Sequence, residues 1–441
     1  MSKKLIRDLG DGLILRHATS EDTNALVQFN REIHGENEWD ARGLDDWTRD
    51  LLSGDSPYMT ADDFTVVEDT KTGEIASSCC LISQTWSYEG IPFKLGRPEL
   101  VGTKKDYRRH GLVRTQFEVL HEWSLERGEL AQAITGIPFY YRQFGYAMAL
   151  NLSGGHFGYE IQVPELKEGE KEPYTLRPAK KKDIPFLMER YDQGCARSPI
   201  SAVWDEALWK YELKGKRPYN INRREIYIIE DTAGEPMGFI GIPPIKWGHT
   251  SSLTLFEIID DASWTEVTPS VLRFLWQKGL EKAKEQDAKQ KIIGFWLGEA
   301  HPAYTVTADQ LARISKPYAY YMRVPDLAAF ITTIKPALEK RLAHSAFANY
   351  SGELKMSFYK DGLLIKFDNG RITEIRNLAF AELEKPQAEF PPFTFLHLVF
   401  GHRAVRELRA IHIDCMVKNE ATANLIDALF PKQASEVWPI S

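Results

Sequence analysis

The chain has 441 residues, 43% hydrophobic and 27% charged, an ordinary globular balance with length for two to four domains. Its formal net charge of −7 leaves no surplus of basic side chains for general nucleic-acid binding. No segment reaches the roughly 18–20 apolar residues of a membrane span, the N-terminus lacks the apolar core of a secretory signal, and Cys79, Cys80, Cys195 and Cys415 show neither CxxC spacing nor a disulfide framework, so the expected compartment is the cytoplasm and no metal site is expected.

In chain order, residues 13–16 read as a strand, and Asp22 opens an amphipathic helix near its N-terminus. The pattern Leu15-Arg16-x-Ala18-x-x-x-Asp22-x-x-x-Leu26 returns as Leu176-Arg177-x-Ala179-x-x-x-Asp183-x-x-x-Leu187. Residues 63–69 (DFTVVED) are likewise matched by 225–231 (EIYIIED), each followed by a turn and another β-branched run at 74–83 or 236–242. This is a degenerate repeat: two copies of one α/β fold, joined by the charged linker 165–171 (ELKEGEK).

Residues 100–120 (LVGTKKDYRRHGLVRTQFEVL) are the most informative stretch. Leu100-Val101 ends a strand, Arg108-Arg109-His110-Gly111 is a cationic loop, and Val113, Phe117 and Leu120 recur at helical spacing while Arg114, Glu118 and Glu122 face solvent. A helix opening after such a loop presents unpaired N–H groups and partial positive charge, to which two arginines add full charges: a phosphate or pyrophosphate cradle. Gly111 lets the backbone approach the phosphate without a Cβ in the way. No GxxxxGK[ST] or GxGxxG motif is present, so nucleotide hydrolysis and dinucleotide redox chemistry lack support. Strand 130–137 (LAQAITGI) is expected beside the strand ending at Leu100 and splayed from it, and PFYYRQFGY follows at 138–146.

In the second copy the third strand, 250–259, leads into the acidic connection 260–270 (DDASWTEVTPS) and a helix from Val271, so this copy is expected to have lost anion binding. Beyond it, a helix at 327–342 precedes strands at 352–359, 362–368 and 371–377, separated by the turn dipeptides Asp361-Gly362 and Asn369-Gly370. Helical patterns follow at 393–400 and 419–429. Phe390, Phe393, Phe395, Phe400 and Phe430 line a lipid cavity in one reading and form ordinary core in the other.

The pattern Arg108-x-x-Gly111-x-Val113 after a strand resembles the Arg/Gln-x-x-Gly-x-Gly/Ala signature of the GCN5-related N-acetyltransferases (GNAT), with Val113 in place of the small residue. The C-terminal region, with Gly401, Leu408 and Leu429-Phe430-Pro431, resembles the sterol-carrier-protein-like (SCP2-like) domain of the "enhanced intracellular survival" (Eis-like) acetyltransferases, so the resemblance spans the whole chain. It implies an α/β (α+β) architecture: an active GNAT domain at 1–168, a degenerate GNAT domain at 169–320 and a sterol-carrier-like domain at 321–441. It also implies acetyl-CoA as donor, no metal, a primary amine acceptor (aminoglycoside, polyamine or lysine-like), and a homo-oligomer, a hexamer by resemblance.

On that reading Arg108, Arg109, His110, Gly111, Leu112 and Val113 hold the pyrophosphate. A bulge in the fourth strand turns backbone groups of Leu100, Val101 and Gly102 toward the pantetheine and the thioester oxygen, with Gly102 as the bulge residue, and Gly136 and Ile137 touch the cofactor. Phe144-Gly145-Tyr146 aligns with the family's Tyr-x-x-Phe-Gly-Tyr segment, which makes Tyr141 the acid that protonates the leaving thiolate and Tyr140 and Tyr146 structural. The base is the terminal carboxylate of Ser441 or, alternatively, Glu99 on the fourth strand. Two competing readings are a hydrophobic-ligand carrier with a vestigial transferase domain, which predicts loss of the loop arginines, and a non-catalytic acetyl-CoA-binding protein, which only an assay separates.

Overall fold

The computed structural model of the chain describes residues 4–437. Its first part runs β1 (Leu5–Gly10), β2 (Leu13–His17), α1 (Thr23–His34), α2 (Glu38–Leu52), β3 (Phe64–Asp69), β4 (Glu74–Tyr88), β5 (Ile91–Thr103), α3 (Leu112–Glu126), β6 (Ala131–Ile134), β7 (Ala147–Leu152) and β8 (Gly155–Tyr159). The second part runs β9 (Thr175–Pro178), α4 (Ile184–Cys195), β10 (Ile200–Ala202), α5 (Glu206–Lys210), β11 (Glu225–Glu230), β12 (Pro236–Ile242), β13 (Thr250–Leu253), β14 (Leu255–Ile258), α6 (Trp264–Glu285), β15 (Ile292–Phe295), α7 (Pro302–Val306), β16 (Arg313–Ser315) and β17 (Tyr318–Arg323). The last part holds α8 (Leu327–Ala343), β18 (Gly352–Ser357), β19 (Asp361–Asp368), β20 (Arg371–Ala379), β21 (Ala388–Glu389), α9 (Leu396–Val399), α10 (Val405–Ile411), β22 (Met416–Val417) and α11 (Glu420–Leu429). The strand expected as fourth is therefore β5, because β1 precedes the repeat and pairs with β2.

The first sheet has the order β1-β2-β3-β4-β5-β6-β17-β7, with β10 on the far end of β4. β17 thus comes from the end of the second part and pairs antiparallel with both β6 and β7. In return β8 leaves the first part and pairs with β15 and β16. The two parts exchange strands across both expected limits, 168/169 and 320/321. In the second part β13 pairs in parallel with β15 and β14 pairs with β12, so the chain changes sheets at Thr254.

The repeated residues have one structural cause. Arg16 donates from Nε to Glu68 (2.6 Å) and from both terminal nitrogens to Asp22 (2.9 and 2.8 Å), tying α1 to two neighbouring strands. Arg177 does the same with Glu230 (2.6 Å) and Asp183 (2.7 and 3.0 Å).

Three local expectations change. α6 starts at Trp264 rather than Val271, with Ser263 as N-cap and Pro269 inside the helix, so only the start of the acidic segment is loop; Asp260 and Asp261 still precede the helix and Glu266 lies in its first turn. Asp361-Gly362 is not a turn. The β18–β19 reversal falls at Tyr359 (φ 69°), and Gly362 pairs with Ser357 inside the sheet, where a Cβ would lie 2.3 Å from the Met356 carbonyl oxygen. The 393–400 helix shrinks to the single turn α9, ended by Gly401 at φ 67°. Asn369 (φ 48°) and Gly370 (φ 76°) do form the expected tight turn.

The last part packs on the first without a break in the core. Phe330 of α8 meets Phe93 and Tyr88 edge-on at 5.2 and 6.3 Å, and Arg341 binds Glu89 (2.7 Å) and the Tyr88 hydroxyl (2.9 Å) at the β4–β5 turn. Phe390, Phe395, Phe400 and Phe430 are buried in that core, and Phe395 packs on Phe430 at 5.3 Å; Phe393 is partly exposed. The core reading of these aromatics accounts for all but Phe393.

Burial pushes the Asp22 carboxyl up, but the hydrogen bonds and charge of Arg16, with the Thr19 N–H, outweigh it and hold the group below the usual range. Its contribution is therefore present above the unfolded value near 3.9 and lost as pH falls through the lower folded value. Asp22→Ala leaves Arg16 buried and short of a partner and should cost about 3–5 kcal/mol. Asp183→Ala should cost less, because the Arg177 side chain is 25% exposed against 2% for Arg16. Urea unfolding monitored at pH 7 checks both the size and the order.

Candidate active site

The mouth of α3 is built by local backbone chemistry. A 3-10 turn over Lys105–Tyr107 is anchored by the Tyr107 hydroxyl, which donates to Asp69 at 2.8 Å, and Arg108 Nε reaches back to the Thr103 carbonyl at 3.4 Å. Arg109 (φ 69°) and Gly111 (φ 76°) then take left-handed conformations and turn the chain into the helix. A Cβ at Gly111 would meet nothing within 4 Å, so conformation rather than crowding asks for glycine there. The first helical bond runs from Thr115 N–H to the Gly111 carbonyl at 3.1 Å. The N–H groups of Leu112, Val113 and Arg114 therefore point out of the helix end with no intrahelical acceptor. Inside, Gln116 Nε2 donates to Thr65 Oγ1 (3.0 Å) and its Oε1 lies 2.7 Å from Ser77 Oγ, which fixes α3 to β3 and β4.

β5 carries a bulge, but not at Gly102. Cys80 pairs with Glu99 and Ser78 with Gly102, so Cys79 alone faces both Leu100 and Val101. Leu100, at φ 52°, is the residue that bends the strand. Gly102 is glycine for a different reason: a Cβ there would lie 2.9 Å from Ile33 Cγ2 and 3.1 Å from Phe29 Cε1, so its absence lets α1 close on β5. Parallel pairing of β5 with β6 covers only Leu95–Ala131 and Gly96–Gln132, after which the strands separate as expected.

The separation opens a cleft of about 570 Å³. Val101, Gly102, Arg108, Arg109, Gly111, Leu112, Val113, Ile137 and Tyr141 all lie on its wall, and both arginines are exposed. Leu100 is buried in the core behind the wall, His110 is exposed on the loop outside the cleft, and Gly136 (φ 123°) adjoins Tyr141, whose Cε2 would be 3.6 Å from a Cβ there.

Tyr141 lies in the 3-10 segment Tyr140–Phe144, which Gly145 ends at φ 88°. Its ring stacks on Phe117 at 5.7 Å and meets Tyr321 edge-on at 5.5 Å. Burial pushes its phenol well above the ordinary value, so the group stays protonated, and among the described residues its hydroxyl has no hydrogen-bond partner. Tyr146 is different: fully buried, its hydroxyl donates to Gln132 Oε1 (3.1 Å) and lies 3.0 Å from His121 Nε2. Tyr140 lines the cleft beside Tyr141.

Residues that sequence reasoning missed come from β17. Tyr321 and Tyr318 donate to the carbonyls of Ile137 and Gly136, both at 3.2 Å, and Arg323 donates to Gln132 at 2.9 Å. The alternating run Tyr318-Ala319-Tyr320-Tyr321-Met322-Arg323 marks a strand, but nothing in it names its neighbours. Ile33 and His34, at the end of α1, also line the cleft.

Glu99 does not lie on the cleft wall; its carboxylate takes an ion pair from Arg97, a buried guanidinium whose Nε and Nη1 have no hydrogen-bond partner. Ser441 lies outside the described residues. The chain leading toward it runs inward: Ser435 Oγ accepts from Ile200 N–H (3.1 Å), Glu436 N–H donates to Ser198 Oγ (3.2 Å), and the carbonyl of buried Val437 accepts from the Tyr320 hydroxyl (3.1 Å). In the second part the matching gap between β14 and β15 holds the buried Glu436 carboxyl, which burial pushes up to about 8.

Residues 15–149 match the family model described as an acetyltransferase (GNAT) domain. Over nearly its full length the chain is similar to solved structures at low identity. One is a GCN5-related N-acetyltransferase from Anabaena variabilis, 13% identical, covering 96% of this chain and 99% of that one with TM-score 0.64. Another, from Kribbella flavida, is 15% identical with coverage of 97% and 98% and TM-score 0.62. Eis1 from Mycobacterium abscessus is 13% identical, with coverage of 96% and 99% and TM-score 0.58. No curated protein sequence matches the chain. The architecture is thus mixed α/β, tandem GNAT folds followed by an α+β domain, and the chain is an acyltransferase. Among the described residues no helix is long and apolar enough to cross a membrane.

Proposed function

We propose that this chain transfers an acetyl group from acetyl-CoA directly to a primary amine of an aminoglycoside, polyamine or lysine-like acceptor, as an Eis-like enzyme. In this reading residues 1–168 are the active domain, 169–320 the degenerate copy and 321–441 the sterol-carrier-like domain, with strands exchanged across both limits. Assembly into a homo-oligomer, a hexamer by resemblance, and a cytoplasmic setting belong to the same reading.

One observation carries it: a cationic helix N-terminus and a protonated, unpartnered tyrosine share the wall of a single cleft opened by two separating strands. The N–H groups of Leu112–Arg114 and the side chains of Arg108 and Arg109 suit a pyrophosphate in both geometry and charge. Val101, Gly102, Ile137 and Tyr141 line the same cleft. The backbone turned by the Leu100 bulge supplies N–H groups that polarise the acetyl carbonyl, with Gly136 and Ile137 flanking the pantetheine.

The acceptor's ammonium gives one proton to the base, the neutral nitrogen bonds to the acetyl carbon, and the carbon–sulfur bond breaks. Tyr141 then donates its phenol proton to the leaving sulfur and recovers one from the amine nitrogen. Tyr321 and Phe117 hold the Tyr141 ring, while Tyr318 and Tyr321 hold the preceding carbonyls. Ser441 is the proposed base, through its terminal carboxylate; the last described residue before it, Val437, accepts at its carbonyl from Tyr320, the chain neighbour of Tyr321. The carrier alternative draws no support from Phe390, Phe395, Phe400 and Phe430, which pack as core.

Replacing both Arg108 and Arg109 by Ala removes two charge-assisted contacts and should weaken acetyl-CoA binding at least about tenfold by calorimetry, with thermal stability unchanged. Glu266→Ala in the second copy should leave affinity as it was. Tyr141→Phe keeps the ring and loses the acid, so kcat should fall by about 10²–10⁴ with cofactor affinity nearly constant. Removing residues 440 and 441 should spare binding, lower kcat and alter the pH–rate profile. Full activity of the shortened chain, with loss in Glu99→Gln, would transfer the base to Glu99.

A further inference from the structure

We propose that Ile33 sets the length of the acyl group: its side chain covers the methyl of acetyl and leaves no room for a longer chain. This rests on the acetyl-transfer reading above.

Val101 and Gly102 are neighbours on β5, so they face opposite sides of the sheet. Val101 packs on the cluster that holds Phe117, Tyr141 and Tyr321. Gly102 faces α1, where a Cβ would lie 2.9 Å from Ile33 Cγ2 and 3.1 Å from Phe29 Cε1. Ile33 and Tyr141 thus stand on opposite faces of the strand. Both nevertheless line the one cleft, because β5 and β6 have parted there. Behind Ile33 the structure is closed: Phe29 is buried in the same core as Leu100, and Ile33 packs against that core. A close-packed core leaves Ile33 little room to retreat.

During transfer the reacting carbon carries the sulfur, the oxygen, the incoming nitrogen and the methyl. The sulfur lies toward Tyr141, which protonates it, and the oxygen takes the backbone N–H groups turned by the bulge. The nitrogen and the methyl are left for the α1 face. The nitrogen must keep hydrogen bonds and give up a proton, and an alkyl side chain backed by a buried ring would strand it. The methyl has no such need, and Ile33 is the cleft-lining side chain that touches Gly102 on this face. A longer acyl chain would have to displace Ile33 and, behind it, Phe29.

The test measures kcat/KM for acetyl-, propionyl- and butyryl-CoA in the wild type, Ile33→Val and Ile33→Ala. The acceptor is whichever of kanamycin, spermidine and a lysine peptide the wild type acetylates, and calorimetry gives the affinity for coenzyme A. The wild type should prefer acetyl over propionyl at least about tenfold. The Val variant loses one methylene, the increment from acetyl to propionyl, and should close most of that gap. The Ala variant should raise the butyryl-to-acetyl ratio at least about tenfold. Coenzyme A lacks the acyl group and should bind all three proteins within about twofold, which also shows that they are folded. If the Ala variant fails to bind it, the Val variant with propionyl-CoA decides. Unchanged acyl ratios in folded variants overturn the assignment, as does a wild type that uses butyryl-CoA as readily as acetyl-CoA. A raised amine KM at constant acyl ratios overturns it too and puts Ile33 against the acceptor instead. If the wild type acetylates none of the three amines, the acetyl-transfer reading itself falls and takes this assignment with it. Wild-type acetylation with unmoved ratios removes Ile33 alone.

Discussion

Strand β17 is the constraint on which the rest depends. β6 has only four residues, and β5 pairs with two of them before turning away, so most of its backbone donors and acceptors need another partner. β17 supplies it from nearly two hundred residues downstream, and in doing so brings Tyr321 against Tyr141, Tyr318 and Tyr321 onto the carbonyls beside the cleft, and Tyr320 onto the C-terminal tail. The gap that makes a cleft possible is thus kept open on one side and stitched closed on the other. Because β8 crosses in the opposite sense, neither part completes its sheet without the other.

Scaffold and chemistry separate cleanly between the two copies. Both retain the arginine that clamps a helix-opening aspartate and a strand glutamate, because each copy needs that clamp to seat its helix on its sheet. They part at the helix mouth: Arg108, Arg109 and Gly111 in one, Asp260, Asp261 and Glu266 in the other. An acidic mouth repels a phosphate, and the second gap is already occupied by Glu436. The second copy has become a holder of strands and tail.

What the sequence made legible was local. The strand–loop–helix run at 100–120 and the repeat built on Arg16 and Arg177 announce themselves in patterns a few residues wide, and Asn369-Gly370 specifies its own turn. Gly102 misled because glycine signals either unusual conformation or close approach, and only the position of α1 decides between them. The true bulge residue, Leu100, carries no mark of its left-handed backbone. Pro269 and Asp361-Gly362 looked like punctuation but are absorbed into a helix and a strand whose packing outweighs local preference. The strand exchange was invisible, since a β-strand's sequence shows which faces are buried but not which strand pairs with it.

The account's central claim is that the cleft under the α3 N-terminus holds the donor. Residue-resolved hydrogen exchange with and without coenzyme A tests it directly. Binding should slow exchange at the amides of residues 101–103 and 112–114 and leave residues 260–270 of the second copy unchanged. Coenzyme A that binds without protecting the first two segments, or that protects the second copy instead, would contradict it.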